Sequence, residues 1–333
     1  MEKKDKILVL RFSSIGDIVL TTPLLRCLKN IPDKKFSVHY ATKKSFAGII
    51  ENNPYVDKVH SLDNSLKDLI KELKEENFDF IIDLHKNIRT SIIKFALRKP
   101  SCSFMKLNLQ KWLLVNFKID MLPKVHIVDR YIYAANSLEV KNDLQGLDYF
   151  LSGKNNDLKE KFFSSLFDKG YVAFVIGGMH FTKRMPNEKI ASLCKKLNTH
   201  IVLLGGNADK KNGEEISKLA GDNVYNACGE FSLNTSAFLV KNAKVVITHD
   251  TGLMHIAAAF KKPIVSLWGN TIPEFGMYPY MPAYENLSRI VEVKGLSCRP
   301  CSKIGHKKCP KKHFKCMKDI NENEIVEFCN NFL

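Results

Sequence analysis

The sequence predicts an α/β protein built from two doubly wound domains. Three observations lead there. The chain is 333 residues long. Short β-rich runs alternate with amphipathic helical stretches. That rhythm restarts after a polar break near the middle. A chain of this length exceeds one ordinary core and suits two domains of roughly 150 residues each. Strand, helix, strand at short spacing means parallel sheets with crossover helices.

The first half opens on a buried strand at 7–10. Ser13 and Ser14 follow and can cap a helix running from about Asp17 to Asn30. A second strand lies at 36–41. Residues 63–76 read as a helix, with Leu66, Leu69, Ile70 and Leu73 on one face. A strand at 80–84 precedes a helix at about 88–97, and a further helix spans 127–138. The polar run Ser152-Gly153-Lys154-Asn155-Asn156-Asp157 reads as the linker, so the domains are expected at 1–153 and 154–333. A strand at 172–176 then ends in Gly177-Gly178. A helix at 186–197 carries proline in its first turn, and a strand at 201–204 ends in Gly205-Gly206. Helices at 213–220 and 233–240, a strand at 245–248, a helix at 253–260 and a strand at 264–268 complete the pattern. A last helix near 322–331 is expected to pack back on the N-terminal domain. Two such domains are expected to form a cleft at the carboxyl ends of their strands, where doubly wound folds bind ligands.

Composition narrows the class. Hydrophobic residues make 45% and charged residues 26%, which are globular values that exclude disordered, collagenous and coiled-coil chains. No apolar run approaches the roughly 18 residues a membrane span needs. The charged start of the chain does not read as a signal peptide, so the protein is expected to be cytoplasmic. Lys plus Arg is 51 against 35 for Asp plus Glu, a formal charge of +16. That charge suits an acidic partner, whether nucleic acid, phosphorylated substrate or anionic lipid surface. A compositional bias toward Lys and Asn would produce it too.

The familiar fingerprints are absent. There is no GxGxxG after the first strand, no GxxxxGK[ST], no GxSxG and no HExxH. Three loops remain. Arg11-Phe12-Ser13-Ser14-Ile15-Gly16-Asp17 joins the first strand to its helix. Asp17 there is either a general base or a plain first-turn acid favoured by the helix dipole, and position alone favours the plain acid. In Thr248-His249-Asp250-Thr251-Gly252-Leu253-Met254-His255, Asp250 and Thr251 can cap the next helix and Gly252 admits a ligand to the backbone. Free N–H groups at a helix start bind phosphate, and this reading outweighs that of an ordinary cap with a buried histidine. Gly177-Gly178-Met179-His180-Phe181-Thr182-Lys183-Arg184-Met185-Pro186 offers two glycines, a hydroxyl and two cations. It suits a diphosphate and equally a solvated basic loop.

Together these segments resemble bacterial heptosyltransferases, glycosyltransferase family 9. Leu10 to Asp17 with Thr21-Thr22-Pro23 is similar to the family's opening. His249-Asp250-Thr251-Gly252-Leu253-Met254-His255-Ile256-Ala257-Ala258-Ala259, followed by Pro263 and Trp268-Gly269, resembles its donor-binding signature. Lys183-Arg184-Met185-Pro186 resembles its Lys-Arg-Trp-Pro stretch, with Met185 where Trp is usual. Asp83-Leu84-His85-Lys86-Asn87 resembles a segment usually written Asp-x-Gln-Gly, without the Gln and Gly. Cys298, Cys301, Cys309, Cys316 and Met317 resemble the family's tail. The resemblance implies the GT-B fold, two Rossmann-like domains facing a central cleft. It also implies inverting transfer of a heptose from an ADP-sugar to a lipopolysaccharide inner-core acceptor. No cofactor is required in that reaction, and the ADP-sugar is a substrate. Asp17 would be the general base and Lys183 would neutralise the leaving diphosphate. Gly177, Gly178, Thr182, Lys183, Asp250, Thr251, Gly252, Leu253 and His255 would bind the donor. Ser13, Ser14, Gly16, His85, Lys86 and Arg89 would face the acceptor. Another nucleotide sugar and glycan acceptor would suit the same fold.

Two further features stand apart. Residues 84–119 contain no Asp or Glu but eight Lys or Arg, interleaved with Trp112, Leu113, Leu114 and Phe117. Such a surface suits anionic lipid headgroups at the inner face of the membrane, or is simply a solvated helix face over core residues. Cys298-x2-Cys301-x7-Cys309-x6-Cys316, with His306 and His313 inside it, could hold zinc, although its spacing matches no standard finger, and a disulfide or free thiols stay open beside a metal. A basic nucleic-acid-binding protein with such a site is the alternative class. The absence of helix-turn-helix or RNP aromatic patterns argues against it.

Overall fold

The computed structural model describes residues 4–153 and 164–333. The chain divides into two compact units, Met1–Lys106 with Val125–Phe150, and Leu107–Lys124 with Leu151–Leu333. Of the linker expected at 152–157, residues 154–157 lie outside the described residues. Ser152 belongs to the second unit. Its N–H donates to Asn234 Oδ1 at 3.1 Å and its hydroxyl accepts from Asn234 Nδ2 at 2.9 Å.

The first unit holds β1 (Asp5–Leu10), β2 (Phe36–Lys43), β3 (Lys58–Leu62), β4 (Phe80–Asp83) and β5 (Ser101–Ser103). They form one parallel sheet in the order β3-β2-β1-β4-β5. Central β1 is buried on both faces from Ile7 to Leu10, which is why it reads as an unbroken apolar run. Leu8, Leu10, Phe78, Ile81, Leu69, Leu73 and Ile93 share one core cluster. The single helix expected at 17–30 is two, Ile15–Val19 and Thr22–Lys29. Pro23 explains the break: it has no N–H to give, and its ring would clash with the Val19 carbonyl of a continuous helix. The freed Val19 carbonyl accepts from the Thr22 hydroxyl at 2.8 Å.

The second unit holds β6 (Val172–Val175), β7 (Ile201–Leu204), β8 (Val224–Asn226), β9 (Val245–His249), β10 (Ile264–Trp268) and β11 (Ser288–Glu292). These are parallel too, in the order β11-β10-β9-β6-β7-β8. The structure seats the terminal helix Glu322–Asn330, which the sequence reading carried to the N-terminal domain, in this second unit. Ile325, Phe328 and Cys329 join the core of Val265, Leu267 and Leu193. Glu322 bonds Ser192 at 3.0 Å and Lys196 at 2.7 Å on the helix Asn187–Lys196. The helix Asn108–Phe117 also belongs here, its Leu114 packing on Ile272 and Phe275.

Each sheet reverses its strand order once, between β1 and β4 in the first and between β6 and β9 in the second. In such sheets the loops leaving the two strands at the reversal diverge and leave a crevice for ligand. Register aligns those strand ends: Leu10 pairs with Asp83, and Val175 with Thr248. Within each sheet, therefore, the two loops emphasised by the sequence leave neighbouring strands at its own reversal point. No helix among the described residues is long and apolar enough to cross a membrane.

Candidate active site

At the second reversal point, β6 runs into Gly177-Gly178 and a short turn at Phe181–Lys183, and β9 runs into Asp250-Thr251. Lys183 Nζ lies 2.5 Å from Asp250 Oδ2, and the Thr271 hydroxyl donates to the same oxygen at 3.1 Å. Both charged side chains remain partly open, at 17% and 15%. The helix Gly252–Ala259 begins beside this pair, and no side chain caps it. Thr251 occupies the N-cap position but its hydroxyl lies 3.3 Å from that of Thr248. Asp250 is engaged by Lys183 and Thr271. The expected capping by Asp250 and Thr251 is therefore not made. The first N–H groups of this helix and their dipole stay open to an anion. Thr251, Gly252 and Leu253 are half-buried, and His255 is buried one turn further in.

Gly178 is half-buried, whereas Gly177 is buried against Asp209. A Cβ on Gly177 would come within 2.7 Å of Asp209 Oδ2. That carboxylate accepts from Gly206 N–H at 2.9 Å and pairs with Arg184 at 3.2 Å. Gly177 thus permits close packing of the β6 and β7 loops. His249 was given no role by the sequence reading, yet it holds the turn. Its Nε2 accepts from Met185 N–H at 3.0 Å, leaving Nδ1–H toward Gly177 O at 3.4 Å. Complete burial pushes its pKa down to about 4, so the ring is a neutral brace.

At the first reversal point, Asp17 sits in the first turn of the helix Ile15–Val19. Its Oδ2 accepts from Ser14 N–H at 3.1 Å and from the Ser14 hydroxyl at 2.7 Å. Its Oδ1 pairs with Arg11 Nη2 at 2.5 Å. The buried Arg11 also donates to Ser13 O at 2.8 Å, to the Tyr131 hydroxyl at 3.0 Å and to Leu84 O. One guanidinium thereby ties the loops after β1 and β4 to the carboxylate. Asp17 keeps 21% of its side chain exposed, so it is a held acid with an open side. Gly16 is buried in the same turn.

Across the reversal, buried Asp83 accepts from His85 N–H at 3.0 Å and Lys86 N–H at 2.6 Å, folding the loop after β4. The His85 ring meets Phe12 edge-on at 5.8 Å. Burial, with Arg11 and Lys106 nearby, pushes its pKa down to about 4, and its buried Nδ1 has no partner. Lys86 is exposed and reaches Phe104 O at 3.3 Å. Arg89 stacks over Phe12 at 5.7 Å and lines a cavity of about 390 Å³ with Lys43, Lys44, Asp63 and Asn64. That cavity is rich in cations at the carboxyl ends of β2 and β3.

The family-wide sequence pattern of glycosyltransferase family 9 (heptosyltransferase) matches residues 66–313, well over half of the chain. The chain belongs to glycosyltransferase family 9. Lipopolysaccharide heptosyltransferase 1 of Campylobacter coli is 24% identical over 97% of both chains. A family 9 glycosyltransferase from Veillonella parvula superposes with a TM-score of 0.80 at 23% identity, covering 100% of this chain and 98% of that one. An Escherichia coli heptosyltransferase solved with ADP gives a TM-score of 0.67 at 20% identity, covering 98% of this chain and 100% of that one. The fold is GT-B, and the protein is a glycosyltransferase.

In this family 9 chain Cys298, Cys301, Cys309 and Cys316 lie near one another, but no three of their sulfurs close to within 4.8 Å of one another. Among the described residues, one group of three or more potential ligand atoms lies within 4.8 Å, and it is His39, His60 and Glu76. Cys298 Sγ approaches His313 Nε2 at 3.8 Å. Burial pushes the Cys316 thiol up to about 12 and, with Cys298 and Cys309 nearby, raises that of Cys301. The histidine group is a satisfied polar network. Glu72 accepts from His60 Nδ1 at 2.5 Å, and Glu76 already pairs with Lys6 at 2.9 Å and Lys58 at 2.5 Å. Two ammonium groups on Glu76, the one carboxylate of the group, repel a cation. Sequence reasoning also missed Arg11 and Thr271. Arg11 stood inside a quoted motif, so the signal was present but unread. Thr271 lies three residues past Trp268, where nothing in the local pattern marks it.

Proposed function

We propose that this family 9 enzyme moves a heptose, with inversion, from an ADP-sugar to the inner core of a lipopolysaccharide-type acceptor. The observation that carries the reading is the second reversal point. There Lys183, aimed by Asp250, stands beside an uncapped helix start. A leaving nucleoside diphosphate needs that combination, a point cation plus backbone N–H groups, to take up its developing charge. The C. coli relative is named a lipopolysaccharide heptosyltransferase and one structural neighbour was solved with ADP, which supports the donor and acceptor classes.

On the acceptor side, Asp17 takes the proton of the attacking hydroxyl. The hydroxyl oxygen bonds to the anomeric carbon on the face opposite the diphosphate, the carbon–oxygen bond to the diphosphate breaks, and its electron pair leaves with the phosphate. Arg11 and Ser14 hold the carboxylate in place for that transfer. Ser13, Ser14, His85, Lys86 and Arg89 face the acceptor, with Gly16 buried in the turn behind them. Gly178, Thr182, Thr251, Gly252, Leu253 and His255 line or support the donor site, with Gly177 acting through packing.

The acceptor is an anionic glycolipid, so the enzyme works at the inner face of the cytoplasmic membrane. The helix Ile88–Leu97 supports this. It exposes Ile88 at 82%, Ile92 at 45% and Phe95 at 78%, an i, i+4, i+7 stripe flanked by Arg89, Arg98 and Lys99. Such a face suits shallow insertion among anionic headgroups. The test of the whole reading is a donor screen. The purified enzyme is incubated with a panel of nucleotide sugars and core acceptors, and products are weighed by mass spectrometry. One heptose added from the ADP-heptose donor alone is the expected result. Transfer from a different nucleotide sugar, with ADP-heptose untouched, would overturn it.

A further inference from the structure

Two hydrogen-bond threads leave one segment, residues 298–306, and end on adjacent residues of the donor turn. The first begins at Arg299, whose side chain is 6% exposed. Its guanidinium donates to Gly269 O at 2.5 Å, Val293 O at 2.8 Å and Thr271 O at 3.0 Å, and pairs with Glu292 at 2.8 Å. Those bonds fix the backbone just past β10. Within it, the Thr271 hydroxyl reaches Asp250 Oδ2, the oxygen that holds Lys183. The second thread begins at His306. Its N–H donates to Thr182 Oγ1 at 2.8 Å, and its carbonyl accepts from Thr182 N–H at 3.2 Å. Thr182 is 1% exposed, so this pairing sits inside the protein.

The segment is seated as well as bonded. Gly305 has φ +129°, and a Cβ there would lie 2.4 Å from His180 Cβ. Any side chain at 305 would push the segment off the donor turn. Phe181 and Phe314 stack at 4.9 Å on the same side. Cys301, two residues on from Arg299, donates its N–H to Asn270 O at 3.3 Å.

We propose that segment 298–306 positions the leaving-group lysine, with Arg299, Thr271 and His306 as positioning residues for transfer. The physical reason is the mobility of a lysine. Its four-carbon stem has many rotamers, and each must be frozen to offer the ammonium at one point. Asp250 freezes the ammonium only if Asp250 itself is fixed. Thr271 fixes one of its oxygens, and Arg299 fixes Thr271. The inference deepens the reading of Lys183 as the group that meets the diphosphate and rests on it.

The test uses the full-length enzyme. Thr271→Val keeps the side-chain shape and removes the hydroxyl, Thr271→Ser returns it, and Arg299→Lys keeps the charge but loses the fork. ADP affinity by isothermal titration, donor KM, kcat and Tm are measured for each, beside Lys183→Ala. Thr271→Val is expected to weaken ADP about five- to tenfold, the scale of one hydrogen bond that orders a charged group. Its donor KM should rise more than kcat falls, with Tm nearly unchanged. Thr271→Ser should return to within about twofold of wild type, and Arg299→Lys should follow Thr271→Val. A merely structural role predicts a lower Tm at unchanged affinity, and that pattern would overturn the proposal. If Arg299→Lys does not fold, Thr271→Val and Thr271→Ser decide alone. Unchanged ADP affinity in Lys183→Ala would instead bring down the reading beneath. Weakening in Lys183→Ala with wild-type affinity in Thr271→Val would bring down this inference alone.

Discussion

The two reversal points have the same topology and opposite polarity. In the first unit a carboxylate, Asp17, is held by a buried cation, Arg11. In the second a cation, Lys183, is held by a carboxylate, Asp250. The helix starts differ in the same sense. The turn at Ser14 is closed on itself, since Asp17 reaches back to the Ser14 N–H. The start at Gly252 is uncapped. One crevice therefore offers a base and the other offers positive charge. On the proposed reading, one Rossmann-like plan serves proton removal in one copy and leaving-group stabilisation in the other, through the residue chosen at each loop.

That comparison can be broken most sharply at Asp17. Asp17→Asn keeps the shape and can still accept from Ser14, but it cannot take a proton. A fall in turnover of about 10²–10⁴ is expected. Since Asp17 also pairs with Arg11, melting must be measured on the same variant, and a modest loss of Tm is expected alongside. Near-wild-type turnover would pass the role to His85, whose ring is neutral at pH 7 and has a free Nδ1. Asp83 is unsuited, being fully buried, with Oδ1 holding its own loop and Oδ2 facing Lys94 at 3.2 Å.

A smaller effect tests the open helix start. Gly252 does not lie in the left-handed region, so valine fits its backbone. Gly252→Val should then weaken ADP about tenfold, or roughly 1.4 kcal/mol, with little change in Tm. Preserved nucleotide affinity with collapsed stability would show that this turn serves the fold alone.

The smallest effect concerns pH. His249, His85 and His39 are each pushed down to about 4 by burial, against about 6.5 in the unfolded chain. The unfolded state therefore binds more protons between those values. Their contribution is complete above pH 6.5 and is lost as pH falls toward 4. Urea unfolding across that window should show stability falling with acid, and His249→Gln should flatten part of the slope. Stability that held level from pH 6.5 to 4 would contradict the buried neutral rings.

Much of this architecture is legible in the residues. The seven strands read from the sequence are the central ones, buried on both faces and hence rich in Val, Ile and Leu. The four it missed, β3, β5, β8 and β11, are the edges of the two sheets. Edge strands are short and polar, as in Ser101-Cys102-Ser103 and Lys58-Val59-His60-Ser61-Leu62, and so lack the pattern that announces a strand. The site divides the same way. Asp17, Lys183 and Gly252 stand at strand ends where local sequence points to them. Thr271, Arg299 and His306 reach the donor turn through partners 21, 28 and 124 positions away, which local sequence does not carry. Pro23 was visible too, but its effect on the preceding helix needed the carbonyl geometry to be read.

The division of labour itself is tested most directly by titrating ADP into Asp17→Asn and Lys183→Ala under one set of conditions. Asp17→Asn is expected to bind ADP as the wild type does while turnover is lost. Lys183→Ala is expected to lose about 1.5–3 kcal/mol of ADP affinity, the scale of a charge-assisted hydrogen bond, with the fold intact. Equal loss of ADP affinity in both variants, or in neither, would contradict the assignment of base and cation to separate units.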